Sequence, residues 1–150
     1  MASAEVAPFA RVGGLSDVVG ALSKAVSGLG HDVSVFLPAY RAVDAGRYGF
    51  SQLDSPETLM IPMGDAAERV TLLRGGMPGA EDVDVYLVGH DGYFDREGIY
   101  VDPETGHGYP DEVERYALFS RAVLEAAAAL ELAPDVLHLN DHHTAMAAVY

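Results

Sequence analysis

The 150-residue sequence contains no cysteine, a single lysine (Lys24) and no apolar run near the length of a membrane span. Without cysteine there is no disulfide framework and no thiolate chemistry. A spanning helix needs roughly 20 consecutive apolar residues, and none of the runs here approaches that. Nor does a basic stretch lead into an apolar one at the start, so nothing reads as a secretory signal. A cytoplasmic setting is expected. Cations of any kind are scarce: 9 Lys and Arg stand against 23 Asp and Glu, for a formal net charge of −14. Such a surface repels phosphate backbones and anionic lipid, so neither nucleic acid nor membrane is an expected partner. The charge otherwise reads as a compositional habit and carries no functional conclusion.

Apolar residues make up 49% of the chain, enough for an ordered core, and the length suits one domain. A short apolar opening, a strand over residues 1–7, is broken at Pro8. The loop Phe9-Ala10-Arg11-Val12-Gly13-Gly14 follows. Leu15, Val18, Val19, Leu22, Val26 and Leu29 then recur at helical steps, predicting a helix over 14–28 that Gly28 and Gly30 stop. Val33 to Leu37 reads as a strand closed by Pro38. This strand–loop–helix–strand unit implies neighbouring parallel strands. Thr58 to Met63 and Arg69 to Arg74 read as two short antiparallel strands, and Val83 to Val88 as a buried one. A long polar loop runs from Gly89 to Tyr109, a length that marks functional or disordered loops. Asp111 is placed to cap a helix reaching about Leu132, with Val113, Tyr116, Ala117, Ser120, Leu124, Ala127 and Leu130 facing inward. Val136 to Leu139 is read as another buried strand, Asn140 to His143 as the loop after it, and a last helix begins near Thr144. The expected class is α/β, a Rossmann-like open, mostly parallel sheet with helices on both faces. Both ends look abrupt, so residues 1–150 read as one domain incomplete at both ends, a piece of a longer product.

In such sheets ligands bind beyond the carboxyl ends of the strands. Three segments arrive there: Pro8 to Gly14, Gly89 to Tyr109 and Asn140 to His143. Gly13-Gly14 sits where strand turns to helix. Glycine lets backbone approach a ligand, and the N–H groups of a helix start favour an anion, though the pair is shorter than a dinucleotide fingerprint and equally suits a tight turn. Arg11 would add charge-assisted contacts to phosphate. Asp17 suits a substrate hydroxyl or, more simply, the positive end of the helix dipole. His138, Asp141, His142 and His143 are ligand types for a metal, as in a phosphoesterase superfamily with adjacent Asp-His-His, but they equally suit hydrogen bonds to a sugar. No resident metal or cofactor is expected. Tyr93, Phe94, Tyr100, His107 and Tyr109 suit stacking on sugar rings or a small core anchoring their loop.

These segments also carry a family resemblance. The run from Glu5 through Ala10-Arg11-Val12-Gly13-Gly14-Leu15-Ser16-Asp17 to Leu22 resembles the opening signature of glycogen and starch synthases. So do Gly30-His31-Asp32-Val33 leading to Phe36-Leu37-Pro38-Ala39-Tyr40, Tyr93-Phe94-Asp95-Arg96 with Gly98-Ile99-Tyr100, Glu114-Arg115-Tyr116 with Phe119-Ser120, and Asp135-Val136-Leu137-His138 through Asp141-His142-His143-Thr144. The resemblance implies the N-terminal, acceptor-side half of a GT-B fold whose donor-binding domain is absent from residues 1–150. It implies metal-free, retaining transfer of glucose from ADP-glucose to an α-1,4-glucan, with no activity of this chain alone. By the resemblance Gly13 and Gly14 lie against the donor, Asp17 and His143 line the cleft, and Arg11 stands at a phosphate-contacting position; Tyr93 and Asp141, read above as sugar contacts, complete the expected substrate-binding set. No catalytic residue is assigned within the chain, because the family's catalytic histidine lies beyond Tyr150. Two positions depart from the family pattern: Arg11 stands where lysine is usual, and His142 where tryptophan is usual. A metal-dependent phosphoesterase using Asp141-His142-His143 and a non-catalytic carbohydrate-binding module are the alternative readings.

Overall fold

The computed structural model describes all 150 residues. Five strands form one sheet: β1 (Val33–Pro38), β2 (Ser51–Gln52), β3 (Thr58–Met63), β4 (Ala66–Met77) and β5 (Ala80–Gly89). β1 and β5 pair in parallel, with Val33 opposite Val83 and Pro38 opposite Val88. β4 runs antiparallel to β5, and β2 and β3 both pair antiparallel with β4. On the other side of β1, Ala2 bridges in parallel to both Phe36 and Leu139. The sheet is therefore mixed. Its parallel half carries the loops of interest; in its antiparallel half β3 has the expected bounds and β4 runs longer at both ends than the strand expected over 69–74.

Two expected strands are reduced to bridges. In the 1–7 stretch only Ala2 joins the ladder on both sides, while Val6 folds back on Ala10. At 136–139 only Leu139 bridges, held by hydrogen bonds from Ala2 N–H to the His138 carbonyl (2.9 Å) and from Asn140 N–H to the Ala2 carbonyl (3.1 Å). Val136 is 77% exposed, contrary to the buried strand expected there. The segment bridges to Ala2 alone, and no helix covers Val136 or Leu137, which are both exposed.

Helix α1 (Gly14–Gly28) has the expected bounds but not the expected face. Ser16, Val19, Gly20 and Ser23 are buried, whereas Val18 and Leu29 are exposed. Small residues let the helix backbone come close to the chain's opening. A Cβ on Gly20 would lie 2.6 Å from the Ala7 carbonyl oxygen, and Ala7 N–H donates to the Ser16 carbonyl at 3.0 Å. Within the long loop, a four-residue helix α2 (Asp91–Phe94) and an antiparallel bridge between Val101 and Gly108 give local order.

Helix α3 spans Glu112–Ala129, a few residues shorter than expected. Asp111 does not cap it through its side chain. The carboxylate instead takes both terminal nitrogens of Arg96, at 2.8 and 2.5 Å. The buried set includes Arg115, Leu118, Phe119, Ala122, Val123 and Ala126 besides the expected Tyr116, Ala117, Ser120 and Ala127, while Val113 is exposed. A single inward stripe fails because α3 is packed on more than one side, by the sheet and by a 3₁₀ helix, His142–Ala148. That 3₁₀ helix takes the place of the last helix expected from Thr144. α1 packs on β1 and β5, and α3 on β3 and β5. Residues 85–88 of β5 are all buried, so both faces of that strand are covered.

Candidate substrate-binding site

The parallel half of the sheet brings the three expected segments together, and Tyr100 is the link. Its hydroxyl donates to Glu5 Oε1 at 2.9 Å, and its ring stacks on His143 with centroids 4.9 Å apart at 23°. Tyr116 meets the same imidazole edge-on at 4.5 Å and shares a 3.0 Å hydroxyl–hydroxyl hydrogen bond with Tyr40. The opening segment, the long loop, α3 and the 140–143 loop thus pack against one another.

Glu5 organises the glycine loop. It is buried, and its Oε2 accepts from Val12 N–H at 2.8 Å and Gly13 N–H at 2.7 Å. Burial of a carboxylate is tolerated because three donors answer it. Burial and the Glu5 hydrogen bond together push the Tyr100 hydroxyl far above the ordinary tyrosine range. The Gly13 amide is therefore already engaged by an anion from within the chain. Gly14 opens α1, and like the other first-turn amides it has no carbonyl four residues back to bond. Neither glycine is required by the chain's own packing. Gly13 has extended backbone (φ −129°, ψ −168°) that any residue adopts, and a Cβ on Gly14 would meet nothing within 4 Å. The space before the helix start is open to a ligand.

Arg11 and Asp17 pair with each other on the surface. Arg11 Nη2 lies 2.7 Å from Asp17 Oδ1, with both side chains about 60% exposed. Asp141 adopts φ 66° and ψ 176°, a region that strains non-glycine residues. Its Oδ1 accepts from the His142 backbone N–H at 2.6 Å and lies 2.9 Å from the ring Nδ1 of the same residue. These contacts, the backbone one first, lower the Asp141 carboxyl below its usual range. His143 is buried and its Nδ1 has no hydrogen-bond partner. Burial first, and then the neighbouring His142, lower its pKa, so the imidazole is neutral at neutral pH. Tyr93 stacks on His90 with centroids 4.6 Å apart, under the Arg96 guanidinium, and does not join the Glu5–Tyr100–His143 cluster. Glu112, His142 and His143 hold ligand atoms within 4.8 Å of one another, while Asp141 is turned to its own neighbour.

Glu5 and Glu112 are the site residues that the sequence did not single out, and Tyr100 stood there only as one of five aromatics of its loop. A lone acid inside an apolar opening directly before a glycine loop was the available signal for Glu5. Nothing in the spacing separates Tyr100 from the other aromatics of its loop.

Comparison with known proteins gives the family. A family model described as the starch synthase catalytic domain matches residues 1–150. Glycogen synthase 1 of Geobacter metallireducens is 43% identical over 97% of this chain and 28% of its own length. Glycogen synthase 1 of Geobacter sulfurreducens is 42% identical over 100% of the chain and 29% of its own. Among solved structures, the catalytic domain of starch synthase IV from Arabidopsis thaliana, bound to ADP and acarbose, superposes with a TM-score of 0.83 and 31% identity, over 98% of this chain and 28% of that one. The chain thus spans under a third of the length of the relatives it matches. By the whole-length family match and by the fold, the chain belongs to the starch synthase catalytic-domain family.

Proposed function

We propose that this chain supplies the acceptor-side wall of a glucosyltransferase that moves glucose from ADP-glucose to an α-1,4-glucan with retention of configuration. The observation that carries the proposal is the likeness to a starch synthase catalytic domain solved with ADP and acarbose bound, a nucleotide and a sugar analogue in one protein. The open start of α1 supports it, because Gly13-Gly14 serves no packing need of its own. In this reading the first-turn amides from Gly14 onward face the donor's diphosphate. Arg11 leaves Asp17 to join them, an exchange made cheap by the exposure of the pair. Negative charge grows on the departing diphosphate, so fixed N–H groups and a cation there favour the transition state over the ground state. Asp141 and His143 line the sugar's side of the crevice, with His143 held neutral as a hydrogen-bonding group and Tyr100 fixing its ring plane. Asp17, once released, is free for a sugar hydroxyl. Tyr93 belongs to the acceptor path further along the loop. A cytoplasmic setting is part of the same proposal. The family match favours neither the phosphoesterase nor the non-catalytic module.

Titration of the 150-residue chain with maltooligosaccharides, followed by amide chemical shifts, tests the acceptor assignment. The expected shifts gather at Asp17, Tyr100, Asp141 and His143. Saturable shifts confined to another face, or none at all, would remove the acceptor role from this crevice.

A further inference from the structure

Beside His143 stand two side chains, Glu112 and His142, that the sugar-binding reading does not use. Glu112 opens α3, and His142 and His143 open the 3₁₀ helix. Together they offer three ligand atoms within 4.8 Å of one another. His143 is buried, with an Nδ1 that no group in the chain answers. His142 is exposed, and its Nδ1 lies 2.9 Å from Asp141 Oδ1. With the proton on that nitrogen, Nε2 carries the free lone pair. A carboxylate behind an imidazole is the arrangement that fixes ring orientation and raises basicity in metal centres. The strained Asp141 backbone turns the chain so that the two imidazoles stand side by side, 3.8 Å between centroids.

We propose that Glu112, His142 and His143 form a binding site for a divalent transition cation, zinc above all, with Asp141 as the positioning residue behind His142. Two imidazoles and one carboxylate with a fourth position open are a donor set that suits zinc, whereas calcium and magnesium take oxygen ligands. Ligand atoms around tetrahedral zinc lie about 3.3–3.6 Å apart, as follows from bonds of about 2.0–2.2 Å. The group therefore closes by up to about 1.5 Å on binding. The movement falls to Glu112 and His142, which are not buried, while His143 stays fixed in its aromatic cage. The site shares His143 and Asp141 with the glucosyltransferase reading, which uses no metal, so a cation bound there would compete with the sugar, and cation binding and glucan binding are measured separately.

The test is titration of the 150-residue chain with cobalt(II), followed by its visible absorption, and with zinc followed by calorimetry. One equivalent should bind, with a cobalt spectrum of low, tetrahedral-like coordination, and calcium and magnesium should not compete. His143 is buried, so the decisive variants are elsewhere. His142→Ala and Glu112→Gln should each weaken binding by about tenfold or more, and Asp141→Asn by less, on the scale of outer-shell losses. His142→Ala should leave the thermal midpoint of the metal-free chain unchanged. His138→Ala, at an exposed histidine outside the group, should bind as the unaltered chain does. Absence of a cobalt spectrum, equal affinity in His142→Ala, or an equal loss in His138→Ala would overturn the proposal.

Discussion

Removing the Glu5 carboxylate should loosen the glycine loop and destabilise the fold together. In Glu5→Ala three donors lose one acceptor: the Val12 and Gly13 amides and the Tyr100 hydroxyl, at 2.8, 2.7 and 2.9 Å. A hydrogen bond to a charged group contributes about 1.5–3 kcal/mol. The simple sum overstates the loss, since Val12 and Gly13 are exposed and their amides can turn to water. Desolvation of the carboxylate is also relieved. About 2–4 kcal/mol of lost stability is expected for the alanine variant. Glu5→Gln keeps a carbonyl for the two amides but loses the charge, and should cost about 1–2 kcal/mol. Urea denaturation at neutral pH reads both values from the midpoint at constant slope. Hydrogen exchange adds a local readout: the Val12 and Gly13 amides should be protected in the unaltered chain and exchange freely in Glu5→Ala. A loss below about 0.5 kcal/mol, the scale of an unremarkable surface substitution, together with unchanged exchange at residues 12 and 13, would refute the organising role of Glu5.

Other substitutions probe the neighbouring elements. In the full-length protein, Arg11→Ala should lose on the order of 2–4 kcal/mol of transition-state stabilisation, read from kcat/KM for the donor, while Arg11→Lys keeps the charge and stays active. Equal kinetics for Arg11→Ala and the unaltered protein would leave Arg11 a surface partner of Asp17 and nothing more. Gly20→Ala should destabilise by about 1–3 kcal/mol in spite of alanine's better helix propensity, because the new methyl meets the Ala7 carbonyl oxygen at 2.6 Å; an unchanged denaturation midpoint would contradict this. Asp111 provides the pH dependence. Arg96, hydrogen-bonded to it, holds its carboxyl below the usual carboxylate range. The folded chain therefore keeps the charge where the unfolded chain has taken up a proton. The resulting stabilisation is complete above about pH 4 and is lost as pH falls through the lowered folded value. Stability should accordingly decline less steeply below about pH 4 in Asp111→Asn than in the unaltered chain, and parallel declines would contradict the pairing.

Where the chain's local signals agree with its tertiary setting, the sequence was readable. α1, β1 and β5 fall where periodicity and the Gly and Pro boundaries put them, because each is a continuous element packed on the sheet. The outer segment at 136–139 has the residues of a buried strand, yet burial depends on what lies across it, and only Ala2 pairs there. The face of α1 was misjudged for a related reason. Apolar periodicity marks large side chains, while this helix docks through Ser16, Gly20 and Ser23, whose value is their small size. At the site, the convergence of three loop segments followed from the parallel topology and was legible. The identity of the connecting residue was not. Tyr93 and Tyr100 share a loop and a chemistry, and only the loop's folded path sends one to His90 and the other to Glu5 and His143. Asp111 likewise has the residue type of a helix cap, but a guanidinium fifteen residues earlier in the chain takes the carboxylate.

The most direct test of the central claim is incorporation of labelled glucose into glycogen by the full-length protein that contains this chain, assayed with ADP-glucose in the presence of a chelator. The account predicts sustained transfer with the new linkage in the α configuration and no requirement for metal, and no transfer by residues 1–150 alone, since both substrates must be held together for attack. Absence of transfer from ADP-glucose by the full-length protein, or turnover that chelation abolishes, would contradict it.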